Sequence, residues 1–136
     1  MDIRHYFVEK GEGEPLILLH GNGENCGYFE KQMDVLSRQY HVYAIDTRGH
    51  GKTPRGKRPF TIRQFAKDLV GFMDEHSIEK AHLLGFSDGG NIAMVFAIYY
   101  PERVDKLILN GANLNGGGVK RSVQFPIEIG YKIAGI

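Results

Sequence analysis

Charge excess of either sign is missing from this 136-residue chain, whose net charge is +1. A nucleic-acid or anionic-membrane surface needs a basic face, so neither is an expected partner. Long apolar runs are missing as well. The longest, Ile92 to Tyr100, falls far below the roughly 20 residues that cross a bilayer. Behind Met1-Asp2-Ile3-Arg4-His5 there is no apolar core of a secretion signal. Cysteine is almost absent. One thiol, Cys26, excludes an internal disulfide, which agrees with a reducing compartment and makes a cytoplasmic location the expectation. Cys26 lies in a polar stretch without the surroundings of a catalytic thiol and reads as structural. No cluster of His, Cys, Asp or Glu has metal-ligand spacing along the chain, and no paired carboxylates suggest glycosidase chemistry. Neither a metal nor another cofactor is expected.

What is present describes one globular domain, because 42% hydrophobic and 24% charged residues at this length support one core and not two. Ile3 to Val8 is rich in strand formers and is broken by Lys10-Gly11-Glu12-Gly13-Glu14-Pro15. Leu16 to Leu19, Val42 to Ile45, Ala81 to Leu84 and Val104 to Leu109 are short continuous apolar runs, the pattern of strands covered on both faces. Between them, helical spacing places Phe29, Met33 and Leu36 on one face of a helix over 28–38, and Ile62, Phe65, Leu69, Phe72 and Met73 on one over 62–76. Thr61-Ile62-Arg63-Gln64 fits a capping box at the second helix, and a third helix is expected over 91–100, stopped by Pro101. Strands alternating with helices predict an α/β fold, a mostly parallel sheet with helices on both faces. Gly111 to Gly118 reads as a loop. Residues 122–136 fit a strand by alternation and a helix by the spacing of Phe125, Ile129, Ile133 and Ile136, so both remain open.

The chemistry concentrates at Gly85-Phe86-Ser87-Asp88-Gly89. A G-x-S-x-G motif between a buried strand and an apolar helix is the setting in which a serine is held up on a sharp turn as a nucleophile, with glycines so that the helix can pack close to the strand. Ser87 is the candidate nucleophile. A serine hydroxyl needs a base to take its proton, yet all six histidines, His5, His20, His41, His50, His76 and His82, precede Ser87. His20-Gly21-Asn22-Gly23 follows another parallel strand, and its loop is expected at the same sheet edge. The backbone N–H groups of Asn22 and Asp88 are the candidate oxyanion donors. Asp88 is also a candidate substrate-binding carboxylate for a cationic amine, against a plain role at the helix terminus. Two nucleotide-binding patterns fail. Cys26 stands where a dinucleotide fingerprint beginning at Gly21 needs its third glycine, and Asp46 stands where a P-loop ending in Gly51-Lys52-Thr53 needs its first.

Leu16 to Gly23, Ala44 to Gly51, Leu84 to Gly90 and Tyr100-Pro101-Glu102-Arg103-Val104 closely resemble, in order, successive landmarks of the α/β-hydrolase family. The resemblance runs from about residue 3 to 115 and covers the amino-terminal portion of the fold. It implies residues 1–118 as core and 119–136 as the incomplete start of a cap. It implies a serine hydrolase acting on an ester, thioester or amide-like bond of a small molecule through an acyl-enzyme, with Asp46, Arg48 and His50 as scaffold. The family's acid and histidine come later in the chain, so they are expected beyond residue 136 or from a complementing second chain. Candidate acids after Ser87 are Asp88, Glu102, Asp105 and Glu128, none just past the end of a later strand. The alternative is a non-catalytic binding module of the same fold. The Val104 to Leu109 strand is expected to carry a bare edge that favours self-association.

Overall fold

The computed structural model describes residues 2–110 and the short strand Ile129–Gly130. Six strands form one sheet: β1 (Phe7–Lys10), β2 (Glu14–Leu19), β3 (Tyr40–Ile45), β4 (Ala81–Phe86), β5 (Val104–Asn110) and β6 (Ile129–Gly130). Their order is β1-β3-β2-β4-β5-β6. β1 runs antiparallel to β3 and every other pair is parallel, so the predicted mostly parallel sheet is present.

Alternation along β2 divides the core. Ile17 and Leu19 face a cluster built on α2 (Ile62–Glu75) and α3 (Asp88–Tyr99), which contribute Phe65, Leu69, Phe72, Met73, Ile92 and Phe96. Leu16 and Leu18 face the other way, onto Phe29, Met33 and Leu36 from α1 (Glu30–Leu36) and the 3-10 turn before it. Helices therefore cover both faces, and the four apolar residues of β2 are 0–2% exposed. Each such side chain contributes about 1.5–3 kcal/mol of burial free energy.

Element boundaries differ from the sequence expectation for local reasons. The opening strand is Phe7–Lys10 and not 3–8, because Phe7 already pairs with Ile45, the last residue of β3, while Ile3 and His5 lie buried beyond that ladder. Asn25 caps a 3-10 turn, Cys26–Phe29, ahead of α1, which shortens the expected helix over 28–38. At α2 Thr61 accepts from the Gln64 N–H, but the Gln64 amide donates to Asp68 Oδ1 (2.8 Å), so only half of the capping box forms. α3 starts at Asp88, three residues early, directly on the turn at Ser87.

The bare edge expected at β5 is partly covered, since Leu107 and Ile108 pair with Ile129 and Gly130. The loop expected over 111–118, and the choice between strand and helix for 122–136 apart from Ile129–Gly130, lie outside the described residues. So does almost all of the expected cap, 119–136, and with it Glu128. Among the described residues no helix is long and apolar enough to cross a membrane.

Candidate active site

Parallel registry brings the chemistry to one edge. Leu19 is paired with Ile45 and with Gly85, and Phe86 with Asn110, so His20, Asp46 and Ser87 all leave the sheet at its carboxyl end. Ser87 itself has φ 55° and ψ −118°, a conformation strained for any residue with a Cβ. Its N–H donates to Asn110 O (3.0 Å), while Gly90 N–H (2.9 Å) turns back to Ser87 O. The flanking glycines are required by contact. A methyl group on Gly85 would collide with the Gly89 carbonyl, and one on Gly89 with the Leu19 carbonyl of the neighbouring strand.

The loop after β2 reaches the serine, because a methyl group built on Gly21 would lie 3.4 Å from Ser87 Cβ and 2.8 Å from Glu24 Oε1. Asn22 follows Gly21 in this loop. Asp88 opens α3, and the N–H of a first helical residue has no intrahelical acceptor. The Asp88 carboxylate is partly exposed and accepts from Asn91 Nδ2 at 3.3 Å, a local brace of the first turn. Beside the serine, Tyr28 stacks on Phe86 with ring centroids 4.7 Å apart. The Tyr28 hydroxyl is pushed up by burial and by the nearby Glu24 carboxylate.

His20 is buried, and both of its ring nitrogens are engaged. Nε2 accepts from the Thr47 N–H (3.1 Å), which fixes the proton on Nδ1, and Nδ1–H donates to Gly21 O (2.7 Å). Burial lowers its pKa further, so His20 is a neutral brace for the Gly21 loop and has no nitrogen left for Ser87. Thr47 Oγ1 lies 3.3 Å from His20 Nε2 and 3.0 Å from His50 Nδ1, and His50 Nε2 lies 3.3 Å from Asn22 Oδ1. A polar ring thus ties both Gly21 and Asn22 to the loop after β3. Sequence spacing gave no sign of it, since His20 and Thr47 are 27 positions apart and Asn22 and His50 are 28 apart.

That second loop is itself clamped. Buried Asp46 accepts from Cys26 N–H (2.7 Å) and Lys52 N–H (2.8 Å), and Gly51, at φ 53°, has no room for a Cβ against the Asp46 carboxylate. Arg48, fully buried, forks onto Asp68 (2.8 and 2.8 Å) and Asp2 (2.9 and 2.7 Å). Those carboxylates raise its pKa, and Arg48 in turn holds the Asp2 carboxyl far below the usual range. Asp46 and Arg48 are scaffold, as expected. Burial, reinforced by Asp46, pushes the Cys26 thiol up to about 12, which removes it as a thiolate nucleophile.

Of the downstream acids, Glu102 sits in the 3-10 turn Pro101–Arg103 and Asp105 near the start of β5, both at the opposite edge from Ser87. One grouping escaped the sequence reading, which found no metal-ligand spacing: Glu14, His82 and Asp105 converge there from three strands, with one ligand atom of each within 4.8 Å of the others.

With this geometry the chain matches the model of the α/β hydrolase fold over residues 14–126, and it belongs to that family. It is 37% identical over 136 aligned positions to a 2-hydroxy-6-oxononadienedioate/2-hydroxy-6-oxononatrienedioate hydrolase of Paraburkholderia phymatum, covering 93% of this chain and 46% of that one. Among solved structures it is similar to a meta-cleavage product hydrolase from Pseudomonas fluorescens (TM-score 0.79, 34% identity, 82% of this chain and 43% of that). An esterase from a marine microorganism is similar too (TM-score 0.76, 35% identity, 79% and 41%). The chain spans less than half the length of these relatives.

Proposed function

We propose that this chain carries the nucleophile and oxyanion half of a serine hydrolase that cleaves an ester, thioester or amide-like bond in a small molecule. The observation that carries the reading is Ser87 at φ 55°, between β4 and α3, with the Gly21 loop packed against its Cβ. Ser87 Oγ attacks the carbonyl carbon and gives its proton to a histidine base. The carbonyl oxygen, now negative, accepts hydrogen bonds from the N–H groups of Asn22 and Asp88, each contributing about 2.7–4 kcal/mol to the transition state. Collapse of this intermediate expels the protonated leaving group and leaves an acyl-serine, which water hydrolyses by the same route.

His20 does not fill the place of the base, for both its nitrogens are bound elsewhere. The base and its acid come from beyond these 136 residues, in the same polypeptide or in a second chain. The relatives named as hydrolases and as an esterase support hydrolysis as the reaction class. They also define a first substrate panel, aryl esters beside a 2-hydroxy-6-oxo-dienoate.

A fluorophosphonate probe tests the assignment. Complementation with the missing half restores labelling at Ser87, and Ser87→Ala abolishes it while leaving the fold intact. Labelling that survives Ser87→Ala, or a complemented protein that stays unlabelled and inert on the whole panel, rejects the reading in favour of a non-catalytic binding module.

A further inference from the structure

The amino-terminal edge of the sheet, remote from Ser87, holds a polar constellation that hydrolysis does not use. Leu16 is paired with His82 across β2 and β4, so Glu14, two residues earlier, projects on the same face as His82. Between β4 and β5 the register slips by one residue from Ala81/Val104 to Leu83/Leu107. Asp105 falls within that slip, a position at which a strand re-aims its side chain. As a result His82 Nε2 lies 3.2 Å from Glu14 Oε1 and 3.8 Å from Asp105 Oδ2.

We propose that Glu14, His82 and Asp105 bind a divalent cation of the zinc class, clipping β2, β4 and β5 together. The donor set is one imidazole and two carboxylates, a mixture that zinc accepts at bond lengths of about 2.0–2.2 Å. Tetrahedral bonds of that length set neighbouring ligand atoms roughly 3.3–3.6 Å apart, and the separations of His82 Nε2 from the two carboxylates, 3.2 and 3.8 Å, bracket that range. Two carboxylates balance the charge of the dication. The rigid member is His82, with a side chain only 7% exposed and its ring edge-on to Tyr40 at 5.4 Å. The carboxylates are the adjustable members, 70% and 45% exposed, and a water takes the fourth position on the solvent side.

Binding requires the Nε2 lone pair, so the ring proton moves to Nδ1. Nδ1 is buried and, among the described residues, without a hydrogen-bond partner, whichever tautomer the ring adopts. The shift therefore creates no additional orphan. The hydrogen bond between His82 and Glu14 is exchanged for two metal bonds.

Zinc titration of the full chain by calorimetry, with imidazole nitrogen NMR, tests the site. One zinc ion binds per chain at this cluster, the His82 Nε2 resonance moves to a metal-bound position, and Glu14→Gln and Asp105→Asn each weaken binding roughly tenfold or more. Both substitutions sit on exposed side chains. If either nevertheless disturbs the fold, the His82 resonance in the unaltered chain decides alone. Zinc affinity unchanged in the Glu14→Gln/Asp105→Asn double variant, or a ring proton that stays on His82 Nε2 under saturating zinc, overturns the proposal and leaves the cluster a hydrogen-bonded group.

Discussion

Replacing Arg48 by Met is the sharpest test of how the loop after β3 is held. The side chain is fully buried and makes five hydrogen bonds, two to Asp68, two to Asp2 and one to Arg55 O. Asp68 is only 1% exposed, and among the described residues the side-chain donor left to it without the guanidinium is the Gln64 amide. A buried carboxylate stripped of its cation costs about 3–5 kcal/mol. For a domain whose whole stability is about 5–15 kcal/mol that is at least about a fifth of the total. The assay is denaturant unfolding followed by circular dichroism, with unfolding free energies from linear extrapolation. A second substitution makes the cause visible: Asp68→Leu in the Arg48→Met background removes the stranded charge and should recover most of the loss, because apolar replacement of a whole buried pair is often neutral or stabilising. The two effects would then be strongly non-additive. An Arg48→Met chain within about 1 kcal/mol of the parent, or a double variant no more stable than the single one, refutes the reasoning.

Ser87→Gly should raise stability by about 1 kcal/mol while ending fluorophosphonate labelling, since a strained φ of 55° becomes an ordinary one for glycine; a lower unfolding midpoint contradicts this. His5, 7% exposed, is held near pKa 4, chiefly by burial, against an ordinary 6.5. Its folded pKa is depressed, so the unfolded chain takes up the proton first and stability falls as pH drops from 6.5 toward 4. The loss reaches about 3 kcal/mol, and His5→Leu should flatten that part of the profile. Asp88→Asn, in the complemented enzyme, should lower kcat/KM for amino-acid esters relative to neutral esters if the carboxylate faces the acyl pocket. An unchanged ratio assigns Asp88 to bracing α3 through Asn91.

The sheet was largely legible because its strands are short apolar runs buried on both faces, and burial of that kind leaves its mark on consecutive residues. Ser87 was legible for a related reason: the turn demands glycines at Gly85 and Gly89, and collision with Gly89 and Leu19 backbone enforces the spelling. What failed was set by partners distant in sequence. Gln64 was expected to close a capping box, but Asp68, fixed in the interior by Arg48 from 20 positions away, accepts from its side-chain N–H instead. The β5 edge was expected to be bare, and a two-residue strand near the end of the chain meets it. The histidine ring contacts around Thr47, and the Glu14–His82–Asp105 cluster, arise only when parallel strands fix which residues stand side by side. No spacing along the chain encodes them.

The hydrogen bond from Ser87 N–H to Asn110 O has a consequence for the order of assembly. Its acceptor lies 23 positions downstream, at the far end of β5, so β4 and α3 alone cannot complete the turn that presents the serine. A nascent chain that has not yet docked β5 has its hydroxyl but not its final posture. The nucleophile role proposed for Ser87 therefore depends on the fifth strand being in place, since Asn110 at its end holds the Ser87 N–H.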